Sequence, residues 1–260
     1  MSQTNSDKYL HTTITQNRVN DPTTPPFRPI KRFDSIKSGF DALFTGGKDD
    51  EEPFIVGPCH EFAHVDIPSL TTLFTHEKNV MCWFETKTEL FNDAYIDGNA
   101  LYTAWLEDRL QFNVVDAPNK HFHLLPPILL DNANNNMSEE GQEYTICYAL
   151  TKSNNLTRYH IDKYAQGWVY LACGTKVWHI FAAKDVSYLQ EHGYSLFDIK
   201  DMEFEELVRI LDNYLWGKIF VGEMKGGEFI YFPHLWAHRV VTYDKSFGVC
   251  GYNSTVNLKV

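Results

Sequence analysis

The chain is short of the features that usually announce a class. Its five cysteines, Cys59, Cys82, Cys147, Cys173 and Cys250, are scattered and odd in number, and none forms a CxxC pair. That excludes a disulfide framework and a cysteine-based zinc reader, and it reads as reduced core thiols of an intracellular protein. No apolar run approaches the ~20 residues of a spanning helix, so no membrane segment is expected. The opening MSQTNSDKYLHTTITQ has neither the apolar stretch of a signal peptide nor the Arg-rich look of a transit peptide. The Asn-x-Ser/Thr matches at Asn136, Asn155 and Asn253 therefore carry little weight. Positive charge is scarce too: 23 Lys plus Arg against 34 Asp plus Glu leave a net charge of −11. A long duplex nucleic-acid surface, which needs clustered cations, is not expected.

Aromatic residues are abundant. Eighteen Phe, fourteen Tyr and six Trp must be buried somewhere, which excludes disorder for most of the chain. A length of 260 residues suits one large domain or a domain plus a tail. Residues 1–28 read as a flexible arm, polar and interrupted by Pro22, Pro25 and Pro26. Residues 29–142 read as a helical and strand-bearing extension, and residues 143–260 as the core. Within the extension, FDSIKSGFDALF suggests a short helix, GGKDDEE a loop, and SLTTLFTHEKNVMCWFET a helix then a strand. ELFNDAYIDGNALYTAWLEDRL reads as two helical pieces broken at Gly98.

After the polar loop NANNNMSEE the texture changes. EYTICYAL, WVYLACG, KVWHIFAA, GKIFVGEM, EFIYFP, HRVVTY and FGVCGY are short, rich in β-branched and aromatic residues, and separated by turn formers. Many such strands in succession suggest a mainly β fold with flanking helices, such as a jelly roll. One helix interrupts them: in DMEFEELVRILDNYL, Phe204, Leu207, Leu211 and Leu215 share a face, and acids crowd the first turn. Its charged side reads as a solvated face, with an acidic surface for a basic partner as the alternative.

Of eleven histidines, His160 has a partner at a meaningful spacing, in His160-Ile-Asp162. On a strand, positions two apart share a face, so an imidazole and a carboxylate would project together. A second histidine would complete the two-His, one-carboxylate set that leaves positions open on a divalent iron for oxygen chemistry. His238, which follows a Pro233 turn at the start of a strand, is preferred. His234 is the competitor, four residues earlier.

Residues 143–253 resemble the JmjC domain of the Fe(II)- and 2-oxoglutarate-dependent oxygenases. The resemblance rests on Thr157-x-x-His160-x-Asp162, on Gly174-Thr-Lys176-Val-Trp178, and on Gly227-Glu228 with Pro233, Trp236 and His238. The interval between the two histidines, 238 − 160 = 78 residues, is usual for that family. The resemblance implies a double-stranded β-helix (jelly-roll, cupin-like) and Fe(II) held by His160, Asp162 and His238. It implies 2-oxoglutarate bound through its distal carboxylate by Lys176 and Thr157, with O₂ as the oxidant. It also implies an asparagine near the cosubstrate, either Asn253 or, after a one-residue shift, a position within Cys250-Gly251-Tyr252. Tyr148, Trp168 and Tyr170 are open between pocket lining and core.

The implied activity is hydroxylation of a C–H bond on a macromolecule, with histone N-methyl-lysine demethylation favoured and a protein or RNA hydroxylase as the alternative. An acidic chain suits a basic protein substrate such as a histone tail, and the nucleus is favoured over the cytoplasm. Two other classes compete: an inactive JmjC-like chromatin scaffold, and a metal-dependent cupin that uses no 2-oxoglutarate. Lys176 discriminates against the second, which has no distal carboxylate to bind.

Overall fold

Period-two alternation with β-branched and aromatic residues favours strands, and here strands dominate. The computed structural model describes residues 27–45, 51–85, 90–110, 114–119, 125–129, 145–162, 166–194, 210, 215 and 217–253. The strands are β1 Phe27–Pro29, β2 Lys31–Phe33, β3 Phe54–Val56, β4 Val80–Glu85, β5 Leu90–Ile96 and β6 Val114–Asn119. They continue with β7 Thr145–Thr151, β8 Asn155–His160, β9 Gln166–Phe181, β10 Ile219–Lys225, β11 Glu228–Phe232 and β12 Ala237–Asn253. The helices are α1 Ile36–Thr45, α2 Ile67–His76, α3 Gly98–Leu106 and α4 Ala183–Glu191. None of the described helices is long and apolar enough to cross a membrane.

All twelve strands join one curled sheet, and two long strands organise it. The first part of β9 lies between β11 and the end of β12, and its second part lies between β10 and the start of β12. β12 likewise takes β8 along its first part and β7 along its second. Two half-sheets thus share two bent strands, the wrapping of a jelly roll.

The bends have local causes. WVYLACG and KVWHIFAA, expected as two strands with a turn at Gly174, are one strand. Gly174 sits in its middle with φ +98, a backbone that favours glycine. A Cβ there would lie 2.6 Å from Ser246 Cβ and 2.8 Å from the Lys245 carbonyl oxygen. HRVVTY and FGVCGY are likewise continuous, with register shifts between Thr242 and Gly248.

Along β7, β9, β11 and β12 the sheet is largely buried on both faces. Outside the β7/β9/β11 half, Phe40, Phe62, Leu70, Phe74 and Trp105 pack on Tyr148, Tyr170, Phe229 and Phe247. Outside the other half, Val186 and Leu189 of α4 pack on Tyr159, Phe181 and Ile219. Between the half-sheets lies a third apolar set, which includes Val169, Leu171, Trp178, Ile180, Met224 and Ile230. The open question over Tyr148, Trp168 and Tyr170 is thereby decided: they belong to the outer layer. Tyr170 stacks on Phe62 with centroids 4.5 Å apart.

In the extension, α1, α2 and β4 lie where the sequence suggests. The first of the two helical pieces expected around Gly98 is instead β5, paired antiparallel with β4. Its apolar residues suit either state, and the hydrogen-bonding edge of β4 decides. The second piece is α3, capped by Asp97, whose side chain accepts from the Ala100 amide at 3.0 Å. Gly98 opens that helix at a close approach to α2, where a Cβ would lie 2.0 Å from the Phe74 carbonyl oxygen. Most of the expected arm, residues 1–26, lies outside the described residues. So does the expected helix from Asp201, apart from the buried Ile210 and Leu215. Phe27–Pro29 pair in parallel with β10.

Phe247 is fully buried where α2, α3 and β12 meet, with ring centroids 5.7 Å from Trp105 and 5.9 Å from Phe74. Phe247→Ala should cost about 3–5 kcal/mol, as buried aromatic truncations do. Urea unfolding checks this, with a lower midpoint at unchanged slope expected; an unmoved midpoint would mean this layer does not hold the helices to the sheet.

Candidate metal centre

β8 and β12 bring the metal-ligating groups together. His160, the last residue of β8, pairs with His238, the second residue of β12. Residues directly opposed across a ladder share a face. Asp162 lies two residues on, just past the end of β8 rather than within it as the strand-alternation argument supposed. His160 Nε2 is 3.8 Å from Asp162 Oδ1, and His238 Nε2 is 3.6 Å from Asp162 Oδ2. One ligand atom from each of the three residues lies within 4.8 Å of the others. Metal–ligand bonds of about 2.1 Å at right angles span edges of about 3 Å, so a modest contraction would close the set on an ion. His234, the competitor, is exposed in the turn before β12 and is not one of the three.

The backbone contacts of both rings favour the tautomer that suits ligation. His160 Nδ1 lies 2.8 Å from the Arg158 carbonyl, and His238 Nδ1 lies 3.3 Å from that of Trp236. Each Nδ1–H donated in this way leaves the Nε2 lone pair facing the centre. Burial, with a smaller push from His160, lowers the His238 pKa to about 4, so its imidazole is neutral at pH 7. Phe232 and Trp178 hold that ring, with centroids 4.5 and 5.8 Å away. His160 and Asp162 keep side-chain exposures of 31% and 21%, against 4% for His238, so the centre sits at an accessible rim.

The remaining candidates distribute along the same strands. Lys176 is buried on β9. The pairs His238 with Ile180, Val240 with Trp178 and Thr242 with Lys176 run without interruption, so Lys176 shares the inner face with His238. It lies four residues from the metal row, about 13 Å of strand, and its Nζ donates to Thr151 Oγ1 at 3.2 Å. Thr157 pairs with Val240. Thr157 and His160 are three apart, and a regular strand would turn them to opposite faces. A register shift between the two pairs places both opposite inward-facing residues of β12.

Asn253 closes β12, where it pairs with Gln166. Glu228 is not at the metal row. It pairs with Arg32 at 2.7 Å, and its Oε2 accepts from the Lys225 amide at 2.8 Å, which ties the β10–β11 turn to β2. Trp236 packs on Phe220 in a tilted arrangement, with centroids 5.6 Å apart.

A family model described as a cupin-like domain matches residues 132–258. The fold is cupin-like. That description takes in the JmjC domains, and a search of the curated proteins finds no match for the chain. The matched segment contains the whole His160–Asp162–His238 cluster and Lys176.

The sequence missed Asn155, Thr242 and Ser246, all buried with Lys176. Their one signal is a polar residue at an inward position of an apolar strand. The burial of Asn155 also removes it as a glycan acceptor in the folded chain.

Asp162→Ala removes the carboxylate that both histidines face. Affinity for Mn(II), read by calorimetry, should fall by roughly a hundredfold, since changes outside the ligand shell already cost 10–100-fold. The circular dichroism spectrum should stay the same, because Asp162 lies off the strand. Undiminished affinity would remove Asp162 from the ligand set.

Proposed function

We propose that this chain is an Fe(II)- and 2-oxoglutarate-dependent oxygenase. The observation that carries the reading is the coincidence, on one inner sheet face, of a two-His, one-carboxylate cluster and a buried lysine. A buried ammonium is costly unless an anion or strong acceptors receive it, and a carboxylate is its natural counter-group. The three ligands leave positions free for a chelating keto acid and for O₂, as such facial sets do.

His160, Asp162 and His238 would hold Fe(II). With 2-oxoglutarate and O₂, the iron supplies oxidative decarboxylation to succinate and CO₂, coupled to insertion of one oxygen atom into a substrate C–H bond. The chain's residues orient and shield. Lys176 would neutralise the distal carboxylate, and the Thr157 hydroxyl, at an inward position between the two rows, would donate to the same group. Phe232 and Trp178 pack the ring of His238 and exclude water from its side of the centre. The partial exposure of His160 and Asp162 supports a substrate group presented from outside, as a side chain of a macromolecule would be.

A basic protein segment is the substrate class we carry forward. The support is the net charge of −11, and a histone N-methyl-lysine is the first case to try. Demethylation releases formaldehyde, whereas a protein or RNA hydroxylase leaves a stable hydroxyl, and action on histones would place the protein in the nucleus. Asn253 is carried as a residue near the cosubstrate.

Succinate formation by anaerobically purified protein, given Fe(II), ascorbate, O₂ and 2-oxoglutarate, tests the activity with and without methylated histone peptides. Turnover is expected in the wild type and none in His160→Ala. Lys176→Ala should raise the 2-oxoglutarate concentration needed by at least about tenfold, as loss of a charged hydrogen bond does. Metal-dependent turnover of a small molecule that ignores 2-oxoglutarate would replace this reading with that of a cosubstrate-independent cupin.

A further inference from the structure

Away from the metal row, the buried inner positions among the described residues are apolar except at one level. There Thr151, Asn155, Lys176, Thr242 and Ser246 are all at least nine-tenths buried. The register explains the clustering. Asn155 of β8 pairs with Thr242 of β12, Thr242 pairs with Lys176 of β9, and Thr151 of β7 pairs with Ser246 of β12. A single row of the sheet therefore reads amide, hydroxyl, ammonium, with two more hydroxyls beside it.

Three atoms of this group, Asn155 Nδ2, Thr242 Oγ1 and Ser246 Oγ, have no hydrogen-bond partner among the described residues. Leaving polar groups unpaired in an apolar interior is costly, and leucine or valine of similar volume would fill the same places without that cost. The row has the composition of an anion receptor. A carboxylate accepts at up to about four lone-pair sites, and an amide N–H₂, a hydroxyl and an ammonium side by side offer matching donors.

We infer that Asn155 and Thr242 select the anionic tail of the cosubstrate. Asn155 donates through Nδ2 and Thr242 through its hydroxyl to the carboxylate that Lys176 neutralises. The inference rests on the oxygenase reading and extends it to two residues beyond Lys176 and Thr157. It also makes the row a length gauge. The metal row and the receptor row are separated by a fixed four residues of β9, so a keto acid without a second carboxylate engages only one of them.

Calorimetric titration under anaerobic conditions, on Mn(II)-loaded protein, reads this without turnover. Two ligands are compared: 2-oxoglutarate, and oxalate, which has the chelating end and no tail. Asn155→Leu and Thr242→Val should each weaken 2-oxoglutarate at least tenfold and leave oxalate unchanged, and Thr242→Ser should restore wild-type affinity. Equal weakening of both ligands would show a structural role only, and unchanged 2-oxoglutarate affinity in both variants would also overturn the inference. A wild type that binds oxalate but not 2-oxoglutarate would overturn the oxygenase reading itself. The oxalate control and the serine variant separate lost recognition from lost folding.

Discussion

Strand β12 is hydrogen-bonded along both edges for most of its length, to β9 on one side and to β8 then β7 on the other. The site depends on that double pairing. A slip of one residue would turn His238 and Thr242 from the inner face to the outer. It would part His238 from His160 and leave Lys176 opposite the wrong neighbour. Both faces of β12 are largely buried, so such a slip would also turn the buried Arg239 into the apolar interior and Phe247 away from its outer layer. Packing on the outside therefore holds the chemistry on the inside in register.

Two departures from regular β geometry make the site out of an ordinary sheet. The shift between β8 and β12 lets Thr157 and His160 both face inward although they are three apart. The left-handed Gly174 lets β9 bend, so that the half after it carries the buried Lys176 while the half before it packs through Tyr170 on the outer aromatic layer. In each case a local irregularity changes which side chains meet, at the cost of a few ladder bonds.

Much of this was legible in the chain. Alternating apolar runs marked the strands, and the spacing of His160, Asp162 and His238 marked three groups that the fold brings within reach of one ion. Pro233 correctly favoured a turn and thereby His238 over His234. The misreadings share a cause. Leu90–Ile96 has a composition that suits a helix or a strand, and only the free edge of β4 chose between them. The two halves of β9 and of β12 looked like separate strands because glycine and polar residues usually end a strand, whereas here they bend it. Glu228, one of the residues that carry the family resemblance, makes an ion pair with Arg32.

What the amino-acid sequence determined by itself is local: the period of each strand, the helix caps at Asp66 and Asp97, and the kinds of group able to bind a metal and an anion. Those properties follow from a residue and its near neighbours along the chain. The tertiary structure decided which face each group took and what stood opposite it. Asn155, Thr242 and Ser246 carry no signal as isolated polar residues. They become one buried polar cluster with Lys176 only when β8, β7 and β9 pair with β12, because register between strands distant in sequence is set by the packing of both sheet faces at once.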